Sequence, residues 1–252
     1  MRIYYFPKKN IIIAAVVLAL ALGMTGWGLL HQPRALTTSE VREPIFQGNS
    51  GTKAVAITVN VDWGEEYIPE MLKQFKAANA KVTFFVTGRW AEKNPDLLRE
   101  MAKEGHSIQN HGYRHLHFNS LSAEQGSAEI KKAEEIIQGI TGTRTRYFAS
   151  PYGEFSPNVV AAAANIDYKL IMWSVDTVDW KRPLPETIVS RVMKKVHNDA
   201  IILMHPTEPT VKALPEMLKQ LQAEKYKMLT IDKVVLDQSS KPNQGEKADA
   251  DK

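Results

Sequence analysis

From Val55 to Thr230, short apolar runs alternate with longer segments whose apolar residues recur every three or four positions. Val55–Val59 precedes a segment, Ile68–Ala78, in which Ile68, Leu72 and Phe75 fall on one helical face. Val82–Val86 precedes Pro95–Glu104, Ser107–Asn110 precedes Ala123–Gln138, and Arg146–Ala149 precedes Asn158–Asn165. Lys169–Val175 precedes Pro185–Val196, and Ala200–Met204 precedes Leu214–Glu224. Met228–Thr230 leads into a short closing helix from Ile231. Such alternation predicts parallel strands joined by right-handed helical crossovers. Seven units of this kind favour a barrel over an open sheet.

The flanks differ from this body. Arg2, Lys8 and Lys9 precede an uncharged apolar run, Ile11–Leu30, long enough to cross a bilayer as one transmembrane helix. Basic residues before the span, with only Arg34 soon after it, predict a body on the extracytoplasmic side. A cleaved signal peptide, with Ala19-Leu20-Ala21 as its cleavage site, is the competing reading, and would make the protein secreted. The apolar character runs on to Trp27, an interface-type residue, which favours an uncleaved anchor at the cell membrane. The expected organisation is therefore a cytoplasmic stub and anchor over 1–30, a linker over 31–53 rich in Pro and Gly, a domain over 54–236, and a disordered polar tail over 237–252.

Composition narrows the chemistry. The chain has 252 residues, 44% of them hydrophobic, enough for one sizeable core. Cysteine is absent, so disulfides, zinc–thiolate sites and cysteine nucleophiles are excluded. The net charge of +4 is spread without a basic stripe, which argues against a nucleic-acid partner.

Candidate functional residues gather where strands end. Asp62, His111, Asp179 and His205 each follow an expected strand, and parallel α/β folds build their sites from those ends. His111 and His115, four apart on an expected helical turn, could present two imidazoles to one divalent metal, with Asp62 as an anionic third ligand. His205, ahead of Pro206, is suited to protonate a leaving amine. Asp179 or Asp176 could hydrogen-bond its ring. Trp63, Tyr152 and Trp180 are candidate sugar-stacking or pocket-wall residues, although aromatic residues in such folds more often simply pack.

These residues carry a resemblance. Ala56-Ile57-Thr58-Val59-Asn60-Val61-Asp62-Trp63-Gly64 resembles the first motif of the polysaccharide deacetylases with a NodB homology domain, carbohydrate esterase family four. His111 to His115 matches their second motif, H-x-x-x-H, and Phe148-Ala149-Ser150-Pro151-Tyr152-Gly153 resembles their third. Asp179-Trp180 matches the fourth and Leu203-Met204-His205 the fifth. The resemblance implies a distorted (β/α)7 barrel, a divalent metal, often zinc, and hydrolysis of acetyl groups on cell-wall polysaccharide such as peptidoglycan. It implies Asp62, His111 and His115 as metal ligands, His205 as general acid tuned by Asp179, and Trp180 as a pocket wall.

Two positions depart from the pattern. Where the family carries its base aspartate, this chain has Asn60, whose amide cannot take up a proton near neutral pH. The arginine that pairs with that aspartate is replaced by Ala149, a linked loss, because a buried guanidinium without a partner is costly. Two readings follow. In one, an atypical carbon–nitrogen hydrolase draws its base from Glu65, Glu66 or metal-bound hydroxide. In the other, the chain is a catalytically impaired glycan-binding or scaffolding module at the cell envelope.

Overall fold

The computed structural model describes residues 43–236. The expected membrane anchor, most of the linker and the polar tail lie outside them. Among the described residues, no helix is long and apolar enough to cross a membrane.

The organising strand is β1 (Ala54–Val61), all eight residues of which are buried. Its near-continuous apolar sequence suits a parallel strand covered on both faces. On one side, β1 pairs with β2 (Thr83–Val86) and, lower down, with β8 (Lys227–Leu229). On the other it pairs with β7 (Ala200–Met204). The sheet continues from β2 through β3 (Ser107–Asn110) and β4 (Tyr147–Phe148) to β5 (Lys169–Leu170), and from β7 to β6 (Val175–Asp176). All of these pairings are parallel, giving a curled α/β sheet consistent with a (β/α)7 barrel.

Helices α1 (Ile68–Ala77), α2 (Gly88–Lys93), α3 (Pro95–Lys103), α4 (Ala123–Thr141), α5 (Pro157–Ala164), α6 (Pro185–Lys195), α7 (Glu208–Ala223) and α8 (Ile231–Val234) link or follow the strands. Because β1 is a strand, its side chains alternate between faces. Val55, Ile57, Val59 and Val61 join the larger cluster with Phe75, Leu214 and Met217 from the helices. Ala54 and Ala56 point the other way, into a smaller cluster with Phe85, Ala149 and Ile201. By the same alternation Asn60 shares the face of Ala54 and Ala56.

Three differences from the sequence reading have physical causes. The run Lys169–Val175 is not one strand. Its first residues pair with β4 and its last with β7, on opposite flanks of the sheet, so 171–174 must cross between them. Residues near 45–47, within the expected linker, sit in that gap. Ile45 bridges to Ile171 and Gln47 to Ala200, and the Gly48 and Asn49 amides donate to the Asp199 and Val234 carbonyls. Finally, α7 begins six residues earlier than its apolar pattern indicates. Thr207 caps it by accepting from the Thr210 amide, and Pro209 and Pro215 mask the periodicity.

Candidate active site

Strand register levels the site. Val61 lies opposite Val86, Val86 opposite Asn110, and Val59 opposite Met204. The residues that follow, Asp62, Thr87, His111 and His205, therefore emerge on one rim. Gly64 brings two of these loops together. It has φ of 83°, and a Cβ there would stand 2.3 Å from the Pro206 carbonyl oxygen, so only glycine permits this approach.

One half of the rim is built around Asp179. This carboxylate is fully buried and accepts three hydrogen bonds: from the His205 amide at 2.6 Å, the Thr210 hydroxyl at 2.6 Å and His205 Nδ1 at 2.8 Å. The Nδ1 bond leaves the His205 Nε2 edge to serve a ligand, and the ring stays one-fifth exposed. Trp63 stacks nearly parallel to it, with ring centroids 6.3 Å apart. Asp176, the competing partner, is otherwise engaged, accepting from the Val178 amide at 2.7 Å. That bond holds Val178 at φ of 52°, which is costly for a β-branched residue and turns the chain so that Asp179 points inward.

The other half contains Asp62, His111 and His115. His111 is buried, and its Nδ1 lies 2.7 Å from the Ala149 carbonyl oxygen. The backbone at position 149 thus orients this ring without any help from the missing arginine. Burial, with the nearby His115, pushes the His111 imidazole down to about 3, and burial likewise lowers His115 despite the opposing charge of Asp62. Both rings are therefore neutral at pH 7. They do not share a helical turn as the four-residue spacing predicts. Gly112 at φ of 74° and His115 at φ of 57° fold the loop back on itself, bringing the rings to 5.0 Å between centroids.

Asp62 is engaged elsewhere. Its Oδ1 accepts from Thr87 Oγ1 at 2.7 Å and Arg89 Nε at 2.8 Å, while Arg89 Nη2 donates to its Oδ2. Burial alone would raise this carboxyl. The bonds from Arg89 and Thr87, with the charges of His115 and Arg89, outweigh it and hold Asp62 below its ordinary value. Neutral imidazoles and a carboxylate are the right donors for a divalent metal. With Arg89 on Asp62, however, no three His, Cys, Asp or Glu side chains among the described residues are gathered to hold an ion. Both oxygens of Asp62 are instead engaged by the Arg89 guanidinium.

At the base position, Asn60 is 6% exposed and its Oδ1 is buried without a hydrogen-bond partner. Ala149 packs with Phe85, Tyr147 and Ile171. Glu65 and Glu66, the alternative bases, are exposed on a short 3-10 turn (Glu65–Tyr67). Glu65 lines, with Asp62, Trp63, Arg89, Lys93 and others, a cleft of about 600 Å³.

Trp63, Tyr152 and Trp180 are 41%, 59% and 54% exposed, so they are rim residues rather than core packing. Tyr152 meets the His115 ring at 4.8 Å and stacks on His117 at 3.8 Å. Thr87, Arg89, Thr210 and His117 are the participants that the sequence reading passed over. Thr87 and Arg89 follow a strand end as Asp62 does, and that placement was a usable signal. His117 is fixed by Glu154, 2.8 Å from its Nδ1, a pairing that sequence spacing does not announce.

Comparison with known proteins agrees with this geometry. Residues 47–171 match the polysaccharide deacetylase family model. The uncharacterized protein YlxY of Bacillus subtilis is 38% identical over 193 residues, 77% of this chain and 60% of that protein, so the chain spans less than two thirds of that relative. A peptidoglycan-N-acetylglucosamine deacetylase of Bacillus cereus is 32% identical over 191 residues, covering 74% of this chain and 70% of the relative. Among solved structures, BA3943 of Bacillus anthracis, described as a CE4 family pseudoenzyme, superposes with a TM-score of 0.74 at 38% identity, covering 77% of this chain and 69% of that one. A mutant of BA3943, described as having restored enzymatic activity, matches with the same TM-score at 36% identity, covering 77% and 71%. With its motifs in order on one rim and relatives of this similarity, the chain belongs to the polysaccharide deacetylase family, carbohydrate esterase family four.

Proposed function

We propose that this protein engages N-acetylated cell-wall polysaccharide at the cell envelope with an acetyl-hydrolysing centre that is impaired. The observation that carries the reading is Asn60, an amide with a buried, unpartnered oxygen at the position of the base. A carboxylate there would take the proton of an attacking water. An amide cannot. The cleft nonetheless keeps what a glycan needs. Trp63 stacks on His205 and Tyr152 meets His115, Trp180 is likewise exposed beside Asp179, and sugar rings bury apolar surface well on such faces. The relatives named for peptidoglycan deacetylation and the pseudoenzyme BA3943 both support the reading.

A second reading, a slow deacetylase, is favoured by the intact pairing of His205 with Asp179. Nδ1 is held by the carboxylate, so the outward ring edge could hand a proton to a departing amine. Loss of general-base assistance lowers a rate by roughly a hundred- to ten-thousand-fold without abolishing it. The family's metal, zinc in many members, belongs to this reading, with Asp62, His111 and His115 as the ligands the resemblance assigns. We further propose a single-pass membrane location with the domain outside the cytoplasm, resting on the apolar run Ile11–Leu30.

The test is titration of the full chain in detergent with N-acetylglucosamine oligomers and peptidoglycan fragments, with acetate measured in the same samples. The proposal expects saturable binding with acetate release near background. Rapid release would make the protein a competent deacetylase, and absence of binding across the panel would remove the glycan reading.

A further inference from the structure

We propose that Arg89 acts as an internal cation at Asp62, competing with divalent metal for that carboxylate and holding the metal affinity of the site down. Nothing in the sequence motifs assigns a role to Arg89. It sits on α2, just past the end of β2, and its guanidinium engages both carboxylate oxygens, Nε on Oδ1 and Nη2 on Oδ2. Two parallel charge-assisted bonds of this kind match the fork of arginine to the two oxygens of a carboxylate. A metal can use Asp62 as a ligand only after at least one of these bonds is given up.

The two partners are unequally placed. The Asp62 side chain is 8% exposed, whereas that of Arg89 is 46% exposed. Arg89 also borders the cleft of about 600 Å³ that holds Trp63, Glu65 and Lys93. The guanidinium can therefore swing into open solvent without disturbing the core, and Thr87 Oγ1 remains to orient the carboxylate. The pair is thus a displaceable plug, not a fixed strut. The rings of His111 and His115, 5.0 Å apart, are the further donors that a metal would add. Arg89 opposes the metal twice, once by occupying the ligand and once by placing a positive charge beside the incoming cation.

This inference extends the impaired-centre reading through metal binding alone and is independent of glycan binding and acetate release. Its test is calorimetric titration of metal-stripped full chain with zinc chloride, in the wild type and in Arg89→Ala, Arg89→Gln and Lys93→Ala. Removing the competing pair should tighten zinc binding at least tenfold in Arg89→Ala. Arg89→Gln, which keeps a hydrogen-bonding side chain but no charge, should fall between it and wild type. Lys93→Ala removes a charge from the same cleft without touching the pair and should change affinity less than threefold. Adding Asp62→Ala to Arg89→Ala should abolish the gain. Two results would overturn the proposal: Arg89→Ala and Arg89→Gln both binding zinc no more tightly than wild type, or a gain that survives Asp62→Ala. Thermal melts of each variant show whether it is folded, and either Arg89 variant suffices for the comparison.

Discussion

The two carboxylates of the rim are held in opposite ways. Asp179 has no exposed surface, and its donors come from the end of β7, the His205 amide and ring, and from the first turn of α7, the Thr210 hydroxyl. Asp62 is capped by a long surface side chain that water can reach. The first arrangement is locked from within, because removing the carboxylate strands several buried donors. The second is exchangeable, because its main partner can be hydrated.

The contrast predicts unequal mutational costs. Asp179→Ala leaves the His205 amide and the Thr210 hydroxyl without an acceptor in a buried setting, and should destabilise the domain by about 3 kcal/mol in chemical denaturation. A loss under 1 kcal/mol would mean that the Asp179 half is no more rigid than the other.

A second effect concerns the histidines on either side of β3. His106, 6% exposed between Phe75 and Phe84, is pushed down to about 4 by burial and the Lys81 charge, and His111 to about 3. Unfolded histidine takes a proton near pH 6.5, so between that value and about 4 the unfolded state binds more protons. Stability must therefore fall as pH falls through this window. For each histidine the loss is about 1.4 kcal/mol per pH unit, or about 2 kcal/mol at pH 5. His106→Gln should remove one histidine's share of that slope between pH 6 and 4.5, as read from denaturation midpoints. An unchanged slope would show that His106 is not kept neutral by the fold.

The smallest expected effect is that of Asp62→Ala. The Arg89 side chain is nearly half exposed and regains water, so the ion pair contributes little; the single buried donor stranded is the Thr87 hydroxyl, and the cost should stay near about 1 kcal/mol. The depressed Asp62 carboxyl also fixes the sign of its pH dependence. Its contribution is present above the unfolded value of about 3.8 and is lost as pH falls through the lower folded one. A loss as large as that of Asp179→Ala would erase the distinction between the two halves.

Much of this was legible in the sequence. Ser107–Asn110 and Ala200–Met204 are strands to the residue. That Asp62, His111 and His205 leave strand ends together follows from the parallel alternation. Lys169–Val175 misled because an apolar run records burial, not which neighbour each residue pairs with. The His111–His115 turn misled because spacing of four is equally compatible with a loop carrying two left-handed residues. Arg89 escaped notice because a metal ligand set directs attention to acids and histidines, whereas the group that engages one of them is a base. The choice between Asp176 and Asp179 depended on the backbone at Val178, which no sequence pattern reveals.

The central claim is that Asn60 limits hydrolysis in a cleft that still accepts glycan. The direct measurement is acetate release from an N-acetylglucosamine oligomer at saturating zinc, comparing wild type with Asn60→Asp, alone and combined with Ala149→Arg. The account predicts release near background for wild type and a gain of roughly a hundredfold to ten-thousandfold on restoring the carboxylate. A wild-type rate already matching that of the variants, or folded variants that bind the oligomer yet release acetate no faster, would contradict it.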